Sequence, residues 1–140
     1  MTDGAFRLRS PRRTPEADIQ RAILRYLGAT LPHGFILHHS PNGGMLKGEV
    51  GRSRGLGTKP GWPDLQVVGR TEAGEPFTAY IEVKAPRGSL SDEQIAIHDR
   101  LKDCGYAVGV ARSVDDVREL VRSWGLPSRD LALKPSEVRA

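Results

Sequence analysis

The period of the apolar positions changes several times along the chain, and each change marks an element. From Thr14 the pattern is helical, with Ile19, Ile23, Tyr26 and Leu27 recurring on one face. Thr14 suits an N-cap, Pro15 suits the first helical position, and Glu16 lies where the helix dipole favours an acid. Gly28 predicts the helix end. Residues 35–39 read as a short strand. Residues 65–68 and 77–83 read as two more, joined through the turn at 71–76 into an antiparallel hairpin. Ser91 opens a second helix, with Gln94 at capping-box spacing. That helix runs towards Gly105 and carries Ile97, Leu101 and Cys104 on one predicted core face. Residues 106–111 form a fourth strand, and residues 113–124 a third helix closed by Gly125 and Pro127.

The order α-β-β-β-α-β-α predicts an α/β domain, a mixed sheet with helices packed on it. A helix between strands three and four lets those two run parallel through a right-handed crossover. Residues 1–13, with Arg7, Arg9, Arg12 and Arg13, read as a flexible basic arm, residues 14–125 as the domain, and residues 126–140 as a C-terminal tail or an arm onto a partner. Residues 40–63 hold Gly43, Gly44, Gly48, Gly51, Gly55, Gly57 and Gly61 and few apolar side chains. A loop that long inside a compact domain is usually functional or disordered.

Composition narrows the classes. The 140 residues suit one domain, and no apolar run approaches the ~18–20 residues that span a bilayer, so no membrane partner is expected. The N-terminus has no apolar stretch after its charges, which argues against a signal peptide. The single Cys104 excludes an internal disulfide and a multi-Cys zinc site, and points to a reducing, cytoplasmic compartment. Net charge is +4, which mildly favours a polyanionic partner. Lys47, Arg52, Arg54 and Lys59 in the Gly-rich loop are candidate phosphate contacts; a solvated surface is the plainer reading.

The candidate chemistry lies in Pro63-Asp64 and Glu82-Val83-Lys84. Alternate side chains of a strand share a face, so Glu82 and Lys84 point together while Ile81 and Val83 enter the core. In the hairpin, Asp64 at the start of one strand lies beside the end of the next. Two carboxylates and an ammonium then share one patch. Hard divalent cations such as Mg²⁺ take oxygen ligands, often only one or two from protein. An exposed cross-strand ion pair would give the same pattern with no function. Glu16, spaced with Ile19 and Ile23, and Gln94, spaced with Ile97 and Leu101, can also face the sheet. Each has a structural role available, in the helix dipole or the capping box.

Glu16, Pro63-Asp64, Glu82-Val83-Lys84 and Gln94, in that order, resemble the PD-(D/E)XK nuclease superfamily with its restriction-endonuclease-like fold. The segments GTKPGWPDL at 57–65 and IEVKAPRGSLSDEQ at 81–94 are similar to its VRR-NUC branch. The resemblance covers roughly residues 14–124. It implies a Mg²⁺-dependent phosphodiester hydrolase of DNA, with Mn²⁺ able to substitute, that leaves a 5′-phosphate and a 3′-hydroxyl. Asp64, Glu82 and the Val83 backbone carbonyl would hold the metal, and Lys84 would be the catalytic lysine. Glu16 would act on the metal indirectly or help hold a second ion, and Gln94 would support Lys84 or the attacking water. Arg87, in the turn after Lys84, joins the candidate DNA contacts. A stand-alone domain of this type, phage or bacterial, resembles Holliday-junction resolvases, which implies branched DNA, a role in DNA repair, recombination or phage replication, and a homodimer. A catalytically silent nucleic-acid-binding domain on the same fold, and a structural protein with a solvated charged patch, are the alternatives.

Other residues are assigned plainer roles. His38 and His39 are adjacent in a strand and point to opposite faces, against a shared metal. His33 and His98 have no ligand spacing, and Cys104 is read as core packing. Ser40-Pro41-Asn42 forms a turn, with a phosphate nest as the alternative. Trp62 packs, with base stacking as its alternative.

Overall fold

The computed structural model describes residues 14–41, 55–57 and 59–134. The basic arm, most of the Gly-rich loop and the last residues lie outside them, and with them Lys47, Arg52 and Arg54.

Helix α1 spans Pro15–Thr30. The Thr14 hydroxyl accepts from Ala17 N at 3.2 Å, Pro15 occupies the first turn, and Glu16 and Asp18 face the positive end of the dipole. The helix passes through Gly28, the predicted stop, to Thr30. Gly28 has negative φ here and open space around it, so nothing forces a break. Leu31, buried, caps the helix through its N–H to the Leu27 carbonyl, and Pro32 follows. Strand β1 is Ile36–His39, β2 Leu65–Arg70 and β3 Pro76–Val83. Helix α2 is Asp92–Asp103, β4 Ala107–Ala111 and α3 Val114–Ser123, and a 3₁₀ turn at Leu131–Leu133 closes the described chain.

The four strands lie in the order β1-β2-β3-β4. The first three pair antiparallel, and β3 pairs parallel with β4 across α2, as the sequence order requires. Gly74, at φ +87°, makes the tight turn between β2 and β3.

Register divides the side chains between two faces. Leu37, Leu65, Val67, Ala79, Ile81, Val83 and Ala111 point to one side, where Ile23 and Leu27 of α1 and Val117 and Val121 of α3 complete the main core. Gly109 lets α3 approach β4, since a Cβ there would stand 2.5 Å from a Leu120 methyl. The other face carries Gln66, Tyr80 and Glu82, and α2 covers part of it with His98 and Leu101. Cys104 is exposed, contrary to its predicted place in the core. The buried face of α2 runs through His98 and Leu101, one position round from Ile97, Leu101 and Cys104.

The segment after α3 returns to the body. Leu126 is buried, Arg129 N–H donates to the Thr30 carbonyl at 2.6 Å, and Asp130 accepts from the Tyr26 hydroxyl at 2.5 Å and from Arg118 Nε at 2.7 Å. The Tyr26 hydroxyl and then the Arg118 guanidinium hold the Asp130 carboxyl down to about 2. Residues 126–134 thus join the ends of α1 and α3.

Candidate active site

Leu65 pairs with Ile81, so Asp64 and Glu82 are the next opposed residues, on the α2 side of the sheet. Val83 N–H donates to Asp64 Oδ2 at 2.8 Å, which ties the Asp64 side chain to the strand that carries Glu82. Glu82 is 1% exposed. Burial first, then hydrogen bonding to and repulsion from Asp64, push its carboxyl up to about 9, while the Lys84 ammonium pulls the other way. A cation beside the Glu82 carboxyl would favour its charged form.

His98 Nε2 lies 3.2 Å from Glu82 Oε1. The imidazole is buried, and burial first, then the Lys102 ammonium, hold its pKa below the usual histidine range. Lys84 shares the Glu82 face, and its N–H donates to the Ala111 carbonyl at 3.0 Å, continuing the β3–β4 pairing past the strand end. The turn that follows is tied down as well. Gly88 N–H donates to the Ala85 carbonyl at 2.9 Å, and Arg112 Nη2 donates to the Gly88 carbonyl at 2.8 Å.

Glu16 reaches the same end of β3 from α1, its Oε1 accepting from Ala85 N at 3.4 Å. One turn on, Gln20 Nε2 lies 2.9 Å from His39 Nδ1, itself 3.2 Å from the Asp64 carbonyl. His39 therefore contacts α1 while His38 stands opposite Gln66 on the other face, and both are exposed. Gln94 closes the capping box: its side-chain oxygen accepts from Ser91 N at 2.9 Å, and its own N–H donates to the Ser91 hydroxyl. Gly61, at φ +82°, lies on this helix start, where a Cβ would stand 2.5 Å from the Glu93 carbonyl. The glycine thus lets the segment leading into Asp64 seat against α2. Trp62 packs edge-on to Tyr80, with ring centres 5.5 Å apart. Lys59 and Arg87 are exposed.

Among the described residues no three His, Cys, Asp or Glu side chains form a ready-made metal cage. The donor set nevertheless fits a hard divalent ion, which needs only one or two protein carboxylates when water and phosphate complete its shell. One oxygen of Asp64 is held by Val83 N–H and one of Glu82 faces His98, and the remaining oxygens belong to carboxyls that repel each other.

Sequence reasoning passed over His98, for want of ligand spacing. The signal was its position four residues after Gln94, on the same helical face.

A mixed sheet flanked by helices, with a carboxylate pair and a lysine at the end of the third strand, defines the restriction-endonuclease-like class of α/β proteins. The VRR-NUC domain family matches residues 53–115, the stretch containing Asp64, Glu82, Lys84 and Gln94. A solved structure described as a VRR_NUC domain protein superposes with a TM-score of 0.60 and 22% identity, over 81% of this chain and 90% of that one. No curated protein matches the chain. Residues 53–115 are thus similar to the VRR-NUC domain of the PD-(D/E)XK nuclease superfamily, and the fold around them is that of a solved VRR_NUC domain protein.

Proposed function

We propose that the protein is a metal-dependent DNA endonuclease, selective for branched DNA such as a Holliday junction and active as a homodimer. The observation that carries this is the opposition of Asp64 and Glu82 on a shared face with Lys84. Asp64, Glu82 and the Val83 carbonyl would hold the metal. A bound Mg²⁺, or Mn²⁺ in its place, would supply positive charge against the phosphate and Lewis acidity towards the attacking water.

The chain's own residues do the rest. Lys84 orients the attacking water and stabilises charge on the phosphate, and the turn tied by Arg112 holds the backbone that carries it. Glu16, anchored on Ala85 N–H, adds negative charge at the same strand end, where it acts on the ion through water or helps hold a second one. Gln94 supports Lys84 indirectly, since its side chain is engaged in fixing the start of α2. In the reaction, water forms a bond to phosphorus while the bond from phosphorus to O3′ breaks. The 3′-oxygen leaves and takes up a proton, and the products are a 5′-phosphate and a 3′-hydroxyl. Lys59 and Arg87, both exposed, contact DNA phosphates. A dimer gives one site per strand.

The test is cleavage of labelled four-way junctions, flaps and linear duplexes with Mg²⁺, Mn²⁺ or EDTA, run beside Lys84→Ala. Metal-dependent cutting that the variant loses, placed symmetrically on the junction, is the expected result. Binding without cutting on every substrate would replace this reading with a silent DNA-binding domain.

A further inference from the structure

Among the described residues, the buried charged or polar side chains are Glu82 and His98, and they touch each other. Burying an imidazole costs free energy unless it is hydrogen-bonded, so an apolar residue would serve α2 better if packing were the only demand. The helix nevertheless turns His98 inwards, at 3% exposure, and leaves the neighbouring Ile97 only half-buried and Ile95 exposed. His98 also lies apart from the main core, which α1 and α3 build on the opposite face. Its contact is with Glu82 Oε1, at 3.2 Å.

We propose that His98 is a positioning residue for Glu82: its Nε2–H holds Oε1, so that Glu82 meets a divalent cation through Oε2 alone. This rests on the metal-dependent reading above and adds to it a determinant of metal choice. Asp64 is restrained in the same way, since Val83 N–H holds its Oδ2. Each carboxylate then offers a single oxygen. That suits Mg²⁺ and Mn²⁺, which take few protein ligands at fixed octahedral positions, over Ca²⁺, which takes six to eight oxygens and accepts bidentate carboxylates. Without the imidazole, Glu82 can rotate and present both oxygens. Affinity for the smaller ions then falls and their preference over Ca²⁺ narrows.

The experiment uses the full chain as wild type, His98→Leu and His98→Gln. Mn²⁺ uptake is read by electron paramagnetic resonance, with Ca²⁺ as competitor, and the Mg²⁺ dependence of junction cleavage is measured in parallel. Melting in EDTA reports folding. His98→Leu is expected to weaken Mn²⁺ binding by about 10–100-fold, the usual loss when a hydrogen-bonding partner of a metal ligand is removed. It also raises the half-saturating Mg²⁺ concentration, with cleavage largely recovered at saturating metal. His98→Gln, whose amide can donate to the same oxygen, recovers most of the affinity. Should His98→Leu not fold, His98→Asn, one methylene shorter than Gln, takes its place. Wild-type Mn²⁺ affinity in His98→Leu, or a His98→Gln as weak as His98→Leu, overturns the inference and leaves the metal reading standing. A wild type that takes up no Mn²⁺ overturns both.

Discussion

Replacing Glu82 with Gln tests the electrostatics of the site without any substrate. The Glu82 carboxyl titrates near 4.5 in an unfolded chain and is pushed up to about 9 in the fold. Between those values folding takes up a proton, so this group favours the folded state fully in acid and progressively less as pH rises towards 9. At 1.36 kcal/mol per pH unit, the metal-free protein loses about 3 kcal/mol between pH 4.5 and 7, and about 6 kcal/mol by pH 9. Glu82→Gln keeps the shape, can accept from His98 and can donate to Asp64, but does not titrate. In EDTA at pH 7 the variant is therefore expected to be more stable than wild type by about 3 kcal/mol, or roughly 10 °C in Tm. Urea unfolding followed by tryptophan fluorescence at pH 5, 7 and 8.5 measures this, and the difference between variant and wild type cancels the other titrating groups. A difference that stays constant from pH 5 to 8.5, or a variant less stable than wild type at pH 8.5, refutes the reasoning. Adding Mg²⁺ should stabilise wild type more as pH rises and leave the variant nearly unchanged.

Three further outcomes follow from the same geometry. Lys84→Ala should lower cleavage by about 10²–10⁴-fold in a single-turnover assay while retaining Mn²⁺ uptake, because the ammonium acts on the reaction rather than on ligand geometry. Gly61→Ala places a methyl 2.5 Å from the Glu93 carbonyl in left-handed backbone and should cost about 1–3 kcal/mol in chemical denaturation. It should lower cleavage too, since this segment leads into Asp64; unchanged stability would show that the segment does not seat on α2. Asp130→Asn should accelerate amide hydrogen exchange through residues 129–134. The native clamp, with its carboxyl held down to about 2, should keep its full effect above pH 3.8 and lose it only as pH falls towards 2.

Most of the fold was legible in the chain because it rests on local physics. Thr14 and Ser91 cap their helices as their spacing implies, and the alternation through β3 sends Ile81 and Val83 one way and Glu82 the other. The hairpin register then leaves Asp64 opposite Glu82. These features depend on neighbours within a few residues or across one tight turn, so the order of side chains determines them.

What the chain did not disclose depends on contacts between distant segments. Burial rotates α2 by one position, exposing Cys104 and bringing His98 to Glu82, because the helix phase is set by what the sheet face needs rather than by its own apolar count. The residues after α3 look structureless in sequence because their partners, Thr30 and Tyr26, lie some hundred residues away. The sequence by itself determined which carboxylates and which lysine share a strand face. Only the tertiary structure decided that one carboxylate is buried against a histidine and that the other is held by the backbone amide of Val83. Desolvation and hydrogen bonding across elements arise when the layers close, and no local pattern encodes them.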